Sequence, residues 1–351
     1  MMPKNKYLGD ILDNTGTVRQ TIEDRKNRGF AIVAEILAIL NEIPLGKYKM
    51  EIGLKLRQAM LINGIFFKSE AWHNIHEAEL KLLESVIEYL LRSLVKAHSK
   101  TPLEFLYLEA GTVPIRFIIS SRRLIYLQTI LKREDSELTK KIHIAQKNNP
   151  SKGDFTKLVE SDFALIGESL DETAVENSDT HSYKNFIKAK IKIAALNYLN
   201  ERKNAHSKIS SINYDVLRTQ EYFLSPIFSD EEVNLLFALR SRYVECRANF
   251  KNRYRENDIQ CQLCMQSCDT QKHILDCSVI QKHITSNIIE EDKAEYEDLF
   301  GEVRKQKRVT VLFKDLIEIR KKLNTDPSTS GEVLKNSFDL HDCIDIFSSG
   351  K

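Results

Sequence analysis

Apolar residues recur along most of this chain at intervals of three and four, which is the repeat of one face of an α-helix. The clearest series is Leu80, Leu83, Ile87, Leu90 and Leu94. It predicts a helix with one narrow buried face, and two heptads are too few to favour a coiled coil over a packed core. Glycine and proline number only 12 and 7 among 351 residues, which favours long helices over strands. The chain is therefore predicted to be mainly α.

The same repeat predicts helices on both sides of this series, while the N-terminus differs. Residues 7–12 predict a β-strand followed by a turn, and a single strand cannot be stable alone. Gly111 is a candidate for a helix C-terminus and Pro114 for a helix N-terminus. The acidic stretch 168–182 is predicted to be a loop. The other predicted helices cover 22–43, 46–67, 103–110, 114–132, 154–167, 183–203, 231–254 and 309–323.

Overall charge says little about partners, because 52 basic residues face 50 acidic ones and the net charge is only +2. The N-terminus lacks the apolar stretch of a signal peptide. The longest apolar run, 31–40, is about half of the ~20 residues that a membrane span needs. We therefore expect a soluble intracellular protein, in the nucleus or the cytoplasm, with no membrane partner.

Four of the six cysteines lie between 261 and 277, which favours metal binding over disulfides in a reducing compartment. The spacing Cys261-x₂-Cys264-x₈-His273-x₃-Cys277 places two thiols on a tight turn and a His–Cys pair on one helix face. Three thiolates and one imidazole fill a tetrahedral shell, so the pattern predicts a structural zinc ion. Cys268 is an alternative ligand in place of Cys261 or Cys277.

Basic residues flank the apolar face of the predicted helix 231–254, directly before these ligands. On a regular helix Arg240, Arg247 and Lys251 share one flank, and Arg242 and Arg253 share the other. Such a helix suits a nucleic-acid backbone, but arginines extending around a buried face would give the same pattern. The two interpretations are nearly balanced, and the neighbouring zinc ligands slightly favour nucleic acid.

Two further segments are rich in basic residues. Arg116 and Arg123 are seven residues apart on the predicted helix 114–132 and share a face, which makes them candidates for nucleic-acid contacts. The lysine-rich segment 184–208 is interpreted as a solvated helix face.

No catalytic residue is predicted. The sequence contains no Asp-Asp pair, no glycine-rich phosphate loop and no spacing typical of a Ser–His–Asp triad. A small-molecule substrate is therefore not expected.

Several short segments together resemble one family. The stretches at 7–9, 21–26 (Thr-Ile-Glu-Asp-Arg-Lys), 68–72 (Lys-Ser-Glu-Ala-Trp), 114–119 (Pro-Ile-Arg-Phe-Ile-Ile) with Arg122 and Arg123, and 269–275 (Asp-Thr-Gln-Lys-His-Ile-Leu) with Cys277 carry the likeness. Over about residues 7–280 the chain resembles the C-terminal half of the reverse transcriptase of non-LTR (LINE-like) retrotransposons. One departure is the His-x₃-Cys spacing, where His-x₄-Cys is usual.

The resemblance implies a division of the chain. Residues 1–15 would be a remnant of the palm sheet, 16–100 a thumb-like helical bundle, 101–255 a helical connection, 256–285 a Cys-Cys-His-Cys zinc knuckle, and 286–351 a C-terminal helix and tail. The thumb and knuckle would bind an RNA or DNA template–primer.

Polymerase chemistry in this family needs palm aspartates that hold two metal ions, and the chain has no Asp-Asp motif. The expectation is a truncated reverse-transcriptase-like protein that binds nucleic acid without copying it. Two alternatives stay open: a zinc-stabilised protein–protein interaction module, and an incomplete gene model of an active RNA-directed DNA polymerase.

Overall fold

The structure, a computed structural model, describes residues 5–7, 10–12, 18–43, 49–72, 75–151, 153–253, 259–282 and 295–325. It confirms a mainly α fold. The α-helices, named α1 to α15 in chain order, are Arg19–Glu42, Lys49–Leu56, Asn63–Ile65, Glu77–Val95, Leu103–Ala110, Ile115–Leu131, Leu138–Asn148, Phe155–Leu165, Glu172–Asn177, Thr180–Lys203, Glu221–Leu224, Asp230–Arg240, Gln271–Asp276, Ser278–Gln281 and Val303–Thr325.

Shorter elements complete the fold. A π-helical turn, Arg57–Ile62, joins α2 to α3, and 3₁₀ helices cover Ser69–Ala71, Arg247–Arg253 and Tyr296–Phe300. Within the described part of the chain, none of the helices combines the length and the apolar character needed to cross a lipid bilayer.

The segment predicted to form one N-terminal strand contains two. Strands β1, Asn5–Tyr7, and β2, Asp10–Leu12, pair with each other in an antiparallel hairpin, with Asn5 opposite Leu12 and Tyr7 opposite Asp10. The prediction missed this because the sequence pattern treats 7–12 as one continuous strand.

Helices α1 and α4 pack against each other and form the core of the N-terminal bundle. The apolar series of α4 faces this core: Leu83, Ile87 and Leu90 are fully buried, and Leu80 and Leu94 are partly buried against it. The helix begins with a reciprocal cap, in which the Glu79 carboxylate accepts the His76 backbone N–H at 2.8 Å. Both the helix and its buried face agree with the sequence pattern.

Helix α6 lies at the centre of the middle region, in contact with α8, α9, α10 and the 69–71 turn. Its Phe117, Leu124 and Leu127 side chains are fully buried. The predicted loop 168–182 is not a loop throughout, because it contains α9. Asp171 caps this helix by accepting the Ala174 backbone N–H at 3.0 Å, a local signal inside an otherwise polar stretch.

The predicted helix 231–254 is wrong beyond Arg240. The backbone of Arg242 turns into the left-handed region (φ 56°), and the Tyr243 N–H then bonds to the Ala238 carbonyl at 2.9 Å. This is a Schellman helix end with arginine at the position that glycine usually occupies. The apolar residues of the predicted helix 231–254 keep their helical spacing beyond Arg240, so this spacing alone gave no sign that the helix ends there. Arg247 and the residues after it therefore do not share a helix with Arg240.

Gly111 ends α5 in a left-handed conformation (φ 63°), as the sequence suggested. The segment that follows Val216 crosses directly over this turn, with the Gln220 N–H bonded to the Glu109 carbonyl at 3.0 Å. A Cβ atom at position 111 would lie 2.0 Å from the Arg218 carbonyl carbon and 2.0 Å from the Thr219 nitrogen. Only glycine permits this approach.

Gly111→Ala is therefore expected to destabilise the protein by about 2–5 kcal/mol, since left-handed strain adds to a backbone clash. Gly167→Ala is the matched control: Gly167 also has a positive φ (72°), but nothing lies within 4 Å of its added Cβ. It should cost only the strain, about 1–2 kcal/mol. Urea unfolding of both variants measures the difference, and equal losses would contradict the close approach.

Candidate metal centre

The two halves of the Cys–His cluster are positioned by different local structures. Cys261 and Cys264 lie on a tight turn in which the Met265 N–H bonds to the Cys261 carbonyl at 2.9 Å. Met265 adopts a left-handed conformation (φ 54°) that closes the turn. His273 lies in α13, where the Thr270 hydroxyl caps the helix by accepting the His273 N–H at 3.0 Å. Cys277 follows at the junction of α13 and α14.

The four ligand atoms, three Sγ and one imidazole nitrogen, all lie within 4.8 Å of one another. The Cys261 and Cys277 Sγ atoms are 3.9 Å apart, and Cys264 Sγ is 3.2 Å from His273 Nε2. A tetrahedral zinc ion with ordinary bond lengths separates sulfur atoms by about 3.8 Å and sulfur from nitrogen by about 3.5 Å. The cluster can therefore hold a metal ion, and its dimensions are compatible with zinc.

The electrostatics of the cluster also suit a cation. Burial raises the pKa of Cys264 to about 11 and also raises the pKa of Cys277, and neighbouring thiolate charge adds to both shifts. Burial opposes ionisation of Cys261 as well, but hydrogen bonding to His273 and to backbone N–H groups outweighs it and lowers the pKa of this thiol to about 7. Three adjacent thiolates repel one another, and a bound cation removes that repulsion.

The alternative ligand Cys268 is not a member of this group, and its sulfur is in a disulfide bond, which the sequence analysis did not expect. Its backbone forms a β-bridge with Gln260, which closes the base of the turn that carries Cys261 and Cys264. The structure thus brings together the four residues of the first assignment.

Asp269 connects the cluster to its surroundings. Its buried carboxylate accepts the Arg320 Nη2–H at 2.6 Å and the Arg247 backbone N–H at 2.7 Å. Next to it, Gln271 Nε2 donates to the Leu239 carbonyl at 2.9 Å. The module is therefore attached both to α12 and to α15. Sequence reasoning assigned no role to 286–351, because Arg320 lies 51 residues from Asp269 and no local pattern links them.

Arg240 was predicted to contact nucleic acid, but this is wrong because its guanidinium is buried. Its Nε and Nη2 atoms donate to the Glu109 carboxylate at 3.0 and 2.8 Å, and Nη1 donates to the Leu299 carbonyl at 2.7 Å. The hydroxyls of Tyr214 and Tyr222 also donate to Glu109, the latter at 2.6 Å. We call these four side chains, Glu109, Tyr214, Tyr222 and Arg240, the buried Glu109 network.

Arg123 is likewise wrong as a surface contact. It is buried and pairs with Asp162 at 2.7 Å, and Asp162 also accepts the Ser120 hydroxyl at 2.6 Å. Burial raises the pKa of Asp162 even though Arg123 and Ser120 favour its charged form. Both arginines that were predicted as surface contacts therefore form buried ion pairs, and their acidic partners lie far away in the sequence.

The remaining predicted nucleic-acid contacts lie in different surroundings. Arg116 is half-buried, pairs with Glu77 and lies 5.1 Å from the Tyr198 ring centroid. Arg242 and Arg247 are half-buried, the first beside Tyr296. The other two predicted contacts, Lys251 and Arg253, belong to the 3₁₀ helix at 247–253, and their side chains lie outside the described part of the structure.

Three lysines on α10 form the cationic row that sequence reasoning did not select. Lys184, Lys188 and Lys192 are exposed, are spaced four residues apart, and make no ion pair with any residue in the described ranges. At 1.5 Å per residue they are spread over about 12 Å of the helix. Phe186 and Ile193, 41% and 57% exposed, lie on the same helix. We call the three lysines the α10 lysine row.

Comparison with known proteins adds no relative: no family model matches the chain, and no curated protein or solved structure matches it.

Proposed function

We propose that Cys261, Cys264, His273 and Cys277 bind one structural zinc ion, and that the chain binds RNA or DNA without polymerising it. The zinc assignment rests on the approach of all four ligand atoms to within 4.8 Å of one another. Four protein ligands leave no position open for water or substrate, so the ion stabilises the fold and takes no part in catalysis.

The nucleic-acid part of the proposal is supported by the resemblance to non-LTR reverse transcriptases and by the α10 lysine row. Its three ammonium groups, which form no ion pair within the described part of the chain, are available for a phosphate backbone, whereas Arg123 and Arg240 are committed to buried carboxylates. Lysine contacts to phosphates bind without reading sequence, which suits a protein that grips a duplex or a strand of any sequence.

The test is the salt dependence of binding by the zinc-loaded chain to labelled RNA and to an RNA–DNA hybrid. Neutralising the row by Lys184→Gln, Lys188→Gln and Lys192→Gln should weaken binding and lower the salt slope by roughly 2–3, since each phosphate contact contributes about 0.7–0.9. Absence of salt-sensitive binding by the unmodified chain would refute the proposal, and nucleotide incorporation by it would refute the non-catalytic part.

A control with the same change in charge separates local contacts from overall attraction. Lys55, Lys157 and Lys305 are exposed, but each already pairs with an acidic neighbour. Their replacement by glutamine should leave the salt slope nearly unchanged. Equal effects of the two triple variants would show that α10 is not the interface.

The second candidate is a zinc-stabilised protein–protein interaction module. The burial of Arg123 and Arg240 favours it, because the continuous positive groove expected of a nucleic-acid protein loses two of its members. This function predicts no salt-sensitive binding to either nucleic acid, so the same titration decides between the two.

A further inference from the structure

A cavity of about 520 Å³ lies between the segment 211–221, the end of α12 and the chain from Glu297 to Gln306. Its size falls within the range of ligand pockets, which is about 300–1,000 Å³. Arg218, Gln220, Phe300 and Gln306 are among its lining residues. None of its lining residues is a ligand of the metal centre or a member of the α10 lysine row.

One polar group at this cavity has no partner among the described residues. Gln306 is 6% exposed, and its buried side-chain Oε1 accepts no hydrogen bond from them. A buried acceptor without a donor is unfavourable and uncommon in folded proteins. The terminal amide of glutamine rotates easily about χ3, so a donor placed in the cavity can turn Oε1 towards itself. The unsatisfied acceptor therefore indicates a ligand that carries an N–H or O–H group.

The rim supplies an aromatic surface and a cation. Phe300 is 39% exposed, and the Arg240 guanidinium lies 5.0 Å from its ring centroid. Arg218 pairs with Glu221 at 3.5 Å, and both side chains are about two-thirds exposed (67% and 63%), so the guanidinium can move to an anion. Planar ligands stack on such rings, and mobile arginines bind phosphate oxygens.

The charge of the lining limits the ligand further. Arg240 is neutralised by Glu109, which leaves Arg218 to face the carboxylates of Glu221 and Glu297. A polyanion such as a nucleoside triphosphate is disfavoured there. A neutral planar base attached to a single phosphodiester charge agrees with the cavity.

We infer that this cavity binds one unpaired nucleotide of a nucleic-acid strand, an inference that rests on the proposed function. The base stacks on Phe300, its edge donates to Gln306 Oε1, and the phosphodiester pairs with Arg218. The cavity thus holds an end or a bulged position of a bound strand.

The test uses the full zinc-loaded chain and the dinucleotide uridylyl-2-aminopurine, whose fluorescence falls when its base stacks. The unmodified chain should quench it saturably. Phe300→Leu and Gln306→Leu should each weaken this binding at least fivefold, since one stacked base contributes enough for such a loss. Phe300→Tyr keeps the ring and should bind nearly as well, and Phe67→Leu, at a phenylalanine 51% exposed elsewhere, is the control.

Arg218→Gln keeps the test decisive if the other variants misfold, because this side chain is 67% exposed and its replacement should leave the fold intact. It should weaken binding and reduce its salt dependence by roughly one phosphate contact. Quenching that is absent, or equal in all the variants, overturns the inference.

A longer single-stranded RNA with one 2-aminopurine separates this inference from the proposed function. Binding of the RNA without any effect of Phe300→Leu, Gln306→Leu or Arg218→Gln overturns the cavity assignment and leaves the proposed function standing. Quenching of the dinucleotide without binding of the RNA supports a free-nucleotide site, and the proposed function then fails.

Discussion

Cys277→Ala is expected to abolish stoichiometric zinc binding and to unfold residues 259–282. Structural zinc contributes about 10–16 kcal/mol of apparent free energy in zinc-finger peptides, far more than a module of this size gains from its own core. The loss should spread to α15, because Arg320 is anchored on Asp269 inside the module. Metal analysis measures the ion, and amide hydrogen exchange measures the loss of protection at 259–282 and 303–325.

Cys246→Ala is the matched control for this change. Cys246 is also buried (2% exposed, against 0% for Cys277) and also free, but it does not belong to the ligand group. Its truncation should leave zinc content at one ion per chain and exchange protection nearly intact. If Cys277→Ala kept its zinc and its protection, the structural role of the cluster would be refuted.

Glu109→Ala is expected to destabilise the whole protein by at least about 3–5 kcal/mol, the usual loss when one partner of a buried ion pair is removed. The substitution leaves the Arg240 guanidinium buried without a counter-charge and takes the acceptor from the Tyr214 and Tyr222 hydroxyls. Urea unfolding followed by circular dichroism measures this effect.

Two comparisons make the Glu109 result specific. Glu137→Gln removes the acid of an exposed pair with Arg133 and should change stability by no more than about 1 kcal/mol. The double variant Glu109→Leu with Arg240→Met should be more stable than Glu109→Ala alone, because it buries no unpaired charge. A double variant as unstable as the single one would show that packing, and not the ion pair, dominates at this site.

Sequence patterns located those features whose determinants lie close together in the chain. The face of α4 follows from five apolar residues within fifteen positions, and the metal ligands follow from four residues within seventeen. Gly111 and Pro114 marked a helix end and a helix start for local reasons of backbone conformation. In each case the physical cause was visible in a short window.

The failures involve residues whose environment is set by distant parts of the chain. Arg240 looked like a surface cation because Glu109 lies 131 positions away, and Arg123 because Asp162 lies 39 positions away. The end of α12 at Arg240 was missed because the apolar spacing continues through Tyr243 and Cys246, although the backbone leaves the helix and turns left-handed at Arg242. Pattern alone cannot tell a snorkelling arginine from a buried one.

The sequence separation within the buried Glu109 network also has a consequence during synthesis. A ribosome adds about 5–20 residues per second, so roughly 7–26 s pass between the appearance of the carboxylate and that of its guanidinium partner 131 positions later. During this interval the nascent chain carries a carboxylate that has no counter-charge, and burying it in an apolar interior would be unfavourable. The region around Glu109 is therefore expected to stay unfolded or chaperone-bound until translation has passed Arg240.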